Sequence, residues 1–253
     1  MLVHGLLSWS FCWRKNIPAL AETYRVLALD LGGCGRSGAL RQASYGIDAW
    51  SRQLEEFLDA LELNKVHILA SSTGGAVALD IASRCGSRVE KLALVSPVNP
   101  LSRRVIFLQQ AYVATGMPLP VLRWLLGKAP VLVPWLFRRR FYSDPARITP
   151  ETIPGYLEGL QPDVAVAMLR EAIFGWDPYQ MTRQLRQVAA PALLLWGEKD
   201  KLVPPSCIPD LAAALPNSCV VTIPEAGHLC FEELPEIFNR EVLMFLREVR
   251  GTP

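Results

Sequence analysis

Five short apolar runs, each bounded by turn residues, set the framework of this chain: Arg25–Leu31 (RVLALDL), Val66–Ala70 (VHILA), Lys91–Ser96 (KLALVS), Ala192–Trp196 (ALLLW) and Val220–Ile223 (VVTI). Runs this short and this continuously apolar suit strands covered on both faces, as in a parallel sheet. Helical patterns lie between them. Trp50, Leu54, Phe57, Leu58 and Leu61 recur on one face, with Glu55, Glu56, Asp59 and Glu62 on the other. A last helix is predicted over about Glu233 to Val249, with Ile237, Phe238, Phe245 and Val249 on its apolar side. Parallel neighbours need crossover connections, so the alternation predicts an α/β fold with a doubly wound, mostly parallel sheet.

From about Pro97 to Arg186 this rhythm stops. No strand pattern appears, and prolines from Pro118 to Pro162 punctuate a stretch rich in Leu, Trp and Arg. It reads as several short helices. The predicted organisation is a core domain of residues 1–96 and 187–253 with a helical insertion, 97–186, at the sheet edge where functional loops gather.

Composition narrows the function classes. With 253 residues, 51% of them hydrophobic and 20% charged, the chain can bury a sizeable core and is not disordered. A formal charge of +2 is too weak to make nucleic acid the main partner. No apolar run reaches the roughly 18–20 residues that span a bilayer, so no integral membrane segment is expected. The apolar opening Met1 to Trp13 has no basic start and no small-residue cleavage motif, which predicts part of the mature fold and a cytoplasmic protein. Cys12, Cys34, Cys85, Cys207, Cys219 and Cys230 are scattered and read as reduced, mostly buried thiols. His4, His67 and His228 are too dispersed for a metal site, and neither metal nor cofactor is expected.

The strongest chemical signal is Ala70-Ser71-Ser72-Thr73-Gly74-Gly75, which follows the strand VHILA and precedes an apolar helix. A nucleophile on a sharp strand-to-helix turn needs tiny residues two positions either side. Ser72 has Ala70 and Gly74; Ser71 would have Leu69 and Thr73 and fails. Such a turn exposes the hydroxyl and leaves the Thr73 amide free to hold an oxyanion at the helix N-terminus. A serine hydroxyl also needs a base, and the base an orienting acid. Asp200 lies on the loop after ALLLW and His228 on the loop after VVTI, so the chain order is nucleophile, acid, base.

Two other motifs resolve differently. Gly33-Cys34-Gly35-Arg36-Ser37-Gly38 matches the dinucleotide fingerprint G-x-G-x-x-G, but no helix opens directly after it and no acid ends the next strand. His67 lies within a strand and reads as a core or sheet-edge histidine.

With these residues in place the chain resembles the α/β-hydrolase superfamily over nearly its whole length. The likeness includes Leu2-Val3-His4-Gly5, Trp13 opening the first helix, Asp30-Leu31-Gly32-Gly33-Cys34-Gly35-Arg36-Ser37-Gly38, and Gly227-His228 with Glu233, Pro235 and Phe238 behind it. The resemblance implies a cofactor-free serine hydrolase with Ser72, Asp200 and His228 catalytic and the amides of Leu6 and Thr73 forming the oxyanion hole. It makes the insertion a cap in which Trp124, Trp135 and Trp176, with Phe107, Phe137 and Phe141, pack and line the substrate pocket. An apolar cap favours small to medium acyl or aromatic esters. Carbon–carbon bond hydrolysis, perhydrolysis, acyl transfer and a non-catalytic binding role stay open. Arg138-Arg139-Arg140 beside VLVPWLF reads as a solvated helix face, with contact to an anionic membrane surface as the alternative. Family members carry two edge strands ahead of a longer strand into His-Gly. Here only Met1-Leu2-Val3 precede His4, so either the start lies downstream of the natural one or that edge has been lost, and neighbouring backbone groups are expected to lack partners.

Overall fold

In the computed structural model, which describes residues 1–39, 45–99, 101, 121, 123–124, 127–174 and 178–248, the strand–helix alternation closes into a parallel sheet. The strands are β1 (Leu2–Val3), β2 (Ala28–Leu29), β3 (Val66–Ser71), β4 (Val89–Val95), β5 (Ala192–Gly197) and β6 (Ser218–Ile223), in the order β2-β1-β3-β4-β5-β6. All five pairings are parallel. The helices are α1 (Ile17–Ala21), α2 (Ile47–Ala60), α3 (Thr73–Arg84), α4 (Ala129–Leu136), α5 (Thr152–Glu158), α6 (Pro162–Phe174), α7 (Pro178–Leu185), α8 (Ile208–Ala214), α9 (Cys230–Glu233) and α10 (Pro235–Arg247).

Residue alternation sorts the core onto two faces. Ile68 and Ala70 of β3, Leu92 and Leu94 of β4, and Leu194 and Trp196 of β5 pack with Leu54 and Leu58 of α2, Val77 and Ile81 of α3 and Leu211 of α8. Leu69, Ala93, Val95, Leu193 and Leu195 point the other way, onto Trp13, Leu20 of α1 and Phe238, Val242 and Phe245 of α10. Successive side chains of a strand alternate across the sheet, so a strand covered on both sides must be apolar at every position. Between β4 and β5 the described residues form helices and connecting turns, with no strand.

Three elements differ from the sequence reading. The run Arg25–Leu31 forms a strand only at Ala28–Leu29, because its partner β1 is two residues long, with Leu2 opposite Ala28 and Val3 opposite Leu29. The last helix runs Pro235–Arg247, close to the expected range, and starts two residues late because Pro235 holds Leu234 (φ −132°, ψ 64°) out of the helical region. Trp13 ends a 3-10 turn, Ser10–Trp13, rather than opening a helix; its ring lies 4.4 Å from that of Phe231.

The short β1 does sit between β2 and β3, but its neighbours are better satisfied than expected. Leu2 N–H donates to Leu27 O (2.7 Å), Leu69 N–H to Met1 O (2.9 Å), and the Met1 amine to His67 O (2.9 Å). Beside the first residues of β1, a cavity of about 430 Å³ opens between Arg25–Leu27 and Lys65–Ile68. It lies at the amino ends of the strands and includes His67, whose ring meets Tyr24 edge-on. Cys12, Cys34, Cys207 and Cys230 are buried. Among the described residues no helix is long and apolar enough to cross a membrane.

Candidate active site

Ser72 joins the end of β3 to the start of α3 with φ +52° and ψ −120°, a conformation that L-residues adopt only when their surroundings enforce it. Three backbone hydrogen bonds do so. Ser72 N–H donates to Val95 O, and its carbonyl accepts from both Gly75 and Val98, each at 2.9 Å. The need for a tiny residue two positions on is steric: a Cβ on Gly74 would sit 2.4 Å from His4 O and 2.7 Å from Val3 O. Thr73 is the first residue of α3, so its amide has no intrahelical acceptor and lies at the positive end of the helix.

The loop after β1 wraps against this turn. A Cβ on Gly5 would lie 3.1 Å from Ser72 Cβ, which places Leu6, half-buried, on the loop beside the serine. His4 braces that loop. Its Nε2 accepts from Leu31 N–H (2.9 Å), so the proton is on Nδ1, which donates to Gly5 O (2.7 Å). Full burial lowers the His4 pKa and keeps the ring neutral. Sequence reasoning quoted His4 but gave it no role.

Asp200 and His228 meet directly, with His228 Nδ1 2.8 Å from Asp200 Oδ2. The other carboxylate oxygen accepts the amides of Leu202 (2.8 Å) and Val203 (2.9 Å). A carboxylate only accepts, so Nδ1 carries the hydrogen, and the neutral ring has its lone pair on Nε2. Both side chains are almost fully buried. Their loops are laced together by Glu198 N–H to Ile223 O (3.0 Å) and Lys199 N–H to Ala226 O (2.8 Å), and Gly197 is required because a Cβ there would lie 2.0 Å from Gly227 O. Ser72, Asp200 and His228 thus follow β3, β5 and β6 at one edge of the sheet. Asp200 and His228 are in contact; no hydrogen bond joins Ser72 to His228. Catalytic contacts to a serine are often long before substrate arrives.

Two adjacent carboxylates behind His228 were not legible as functional. Glu233 accepts the amides of Gly227 (2.7 Å), Asp144 (2.8 Å) and Ser143 (3.1 Å), fastening the His228 loop to the helical segment. Glu232, fully buried, takes the Tyr156 hydroxyl (2.7 Å) and pairs with Arg14, which also donates to Thr152 (2.9 Å). Burial raises the Glu232 pKa despite these partners. Phe141 completes the seam: its carbonyl accepts Leu229 N–H (3.2 Å) and its ring lies 6.1 Å from that of His228.

The aromatic residues expected to line a pocket separate. Phe137 is buried, but Trp124 and Trp135 are 62% and 51% exposed. Rings this open to water do not line an enclosed pocket, which corrects the expectation for both. Trp176 and Phe107 lie outside the described residues. The G-x-G-x-x-G loop is occupied by its own chain. Gly33 and Gly35 have φ +83° and +52°, the Asp30 carboxylate takes the amides of Ser10 (2.7 Å) and Arg36 (2.9 Å), and α2 begins only at Ile47. Among the described residues no cluster could hold a metal ion.

Comparison with known proteins agrees with this architecture. Residues 1–235 match the family model described as alpha/beta hydrolase fold. An uncharacterized hydrolase, YugF, of Bacillus subtilis (strain 168) is 30% identical over 251 residues, covering 97% of this chain and 88% of its own. A 2-hydroxy-6-oxo-6-phenylhexa-2,4-dienoate hydrolase of Burkholderia cepacia is 27% identical over 255 residues, covering 96% and 84%. The solved structure of a thermophilic esterase from Thermogutta terrifontis superposes with a TM-score of 0.79 at 26% identity, covering 99% of this chain and 89% of that one. This chain belongs to the α/β-hydrolase family, and it is a hydrolase.

Proposed function

We propose that the chain is a serine hydrolase of carboxylic esters with small to medium apolar acyl or aromatic groups. The observation that carries this is the strained Ser72 turn at the same sheet edge as the Asp200–His228 pair. Ser72 Oγ attacks the ester carbonyl while His228 Nε2 takes its proton, and Asp200 holds the ring in that tautomer and balances the imidazolium. The amides of Thr73 and Leu6 receive the developing oxyanion. His228 returns the proton to the leaving alcohol, then activates water to release the acid. Residues 97–186 act as a cap over this edge, tied down by Glu232 and Glu233. No cofactor takes part in these steps. A second reading, the same triad acting on a dienoate ketone, is favoured by the Burkholderia cepacia relative.

The test is labelling by a fluorophosphonate probe together with turnover of short and medium p-nitrophenyl esters, wild type against Ser72→Ala. Both signals vanish in the variant on this reading. A folded wild type that neither labels nor turns over overturns it.

A further inference from the structure

We propose that the outer face of the α4 segment docks on an anionic lipid surface. From Leu92 to Ser143 the chain contains no Asp or Glu, yet seven Arg and Lys. Within this stretch α4 runs without interruption into the helical turn Phe137–Phe141. One row of that run faces inward: Ala129 and Phe137 are buried, and Val133 packs on the core. The opposite row does not. Val131 is 70% exposed and Trp135, four residues on, is 51% exposed; Arg138, Arg139 and Arg140 follow and are exposed too.

A solvated helix face presents charge to water and keeps its apolar residues inside. Here the outward row begins with Val and Trp and ends in three arginines, which form no ion pair among the described residues. Trp124, 62% exposed, stands on the preceding turn with Lys128 Nζ 5.9 Å from its ring centre. Indole rings beside cations suit the boundary between headgroups and acyl chains, where the ring is half-immersed and the cations reach phosphate. The charge chooses the occupant. A second copy apposing the same face would bring arginine against arginine with no acid to compensate, whereas anionic headgroups neutralise all of them.

The docked run ends at Phe141, which contacts the His228 loop, so the lipid-facing helix leads directly to the candidate catalytic edge. The proposal does not depend on the reaction catalysed there.

The experiment is co-sedimentation of the full chain with vesicles of phosphatidylcholine alone and of equimolar phosphatidylcholine and phosphatidylglycerol. Trp135→Ser and a triple Arg138→Gln, Arg139→Gln, Arg140→Gln variant are measured beside the wild type, with sedimentation velocity in the absence of lipid. The expected result is binding to the anionic vesicles that weakens with salt and falls about tenfold in each variant, with unfolding temperatures unchanged because the replaced side chains are exposed. Absence of binding, equal binding to both vesicle types, or binding that survives both variants overturns the proposal. So does a self-association lost in Trp135→Ser without any vesicle binding, which would assign the face to a second copy.

Discussion

The Glu233 carboxylate accepts the Gly227 amide at 2.7 Å, one residue before His228, while also holding the amides of Ser143 and Asp144. One buried side chain therefore ties the loop of the candidate base to the Ser143–Asp144 stretch of the helical segment. In Glu233→Gln one carboxylate oxygen becomes an N–H₂ group, so a donor faces donors. An unmet buried group costs about 1–3 kcal/mol. The unfolding temperature should fall, and kcat for ester turnover should fall about tenfold with a smaller change in KM, since the base is displaced rather than the pocket altered. Thermal unfolding and steady-state kinetics check this; an unchanged kcat would show that the His228 loop holds its place without Glu233.

The Ser72 turn makes a steric prediction. Gly74→Ala places a methyl 2.4 Å from His4 O, a backbone atom that cannot swing aside as a side-chain tip would. Overpacking of this kind costs about 1–3 kcal/mol. Relief requires movement of the His4–Leu6 loop away from Ser72, so probe labelling and ester turnover should both drop. Gly86→Ala is the control, because nothing lies within 4 Å of a Cβ there. Equal behaviour of the two variants in unfolding and labelling would show that the turn has more room than its geometry implies.

The same geometry explains what could be read from the sequence. β3, β4 and β5 announce themselves because both faces of each strand are buried, which leaves a continuous apolar run. The turn at Ser72 announces itself because only Ala70 and Gly74 satisfy the crowding. Apolar runs report burial, not pairing, so the extent of β2 was hidden in the length of β1. Glu232 and Glu233 look like any charged pair beginning a helix. Their partners, Arg14, Tyr156 and Ser143, come from distant parts of the chain that no local pattern connects. The outward direction of Trp135 was equally hidden, because α4 (APVLVPWL) is apolar all round and offers no polar face to orient it.

Glu232 gives a pH prediction. Burial pushes its folded-state pKa above the ordinary carboxylate value, against the opposing pull of Arg14 and Tyr156. The native state therefore binds more protons than the unfolded chain between those two pKa values, and stability declines as pH rises through that window. Glu232→Gln removes this titration while keeping the Tyr156 contact available. The unfolding temperature of wild type relative to the variant should accordingly rise as pH is lowered from about 7 to about 4, toward the ordinary carboxylate range. A difference that shrinks on acidification would mean that the Arg14 pair outweighs burial.

Asp200→Asn separates charge from architecture at the candidate site. The Asn oxygen can keep the amides of Leu202 and Val203, at 2.8 and 2.9 Å from the present carboxylate oxygen, so the loop should stay in place and the unfolding temperature change little. That orientation turns the amide N–H₂ toward His228 Nδ1, which must then accept. The ring proton moves to Nε2, and the lone pair that should receive the Ser72 proton is lost. The kcat for ester turnover should fall on the order of 10⁴-fold with KM far less affected, the cost of holding a histidine base in the wrong tautomer. Retention of activity within about tenfold would remove Asp200 from the role of orienting acid and leave it bracing the loop after β5 through the amides of Leu202 and Val203.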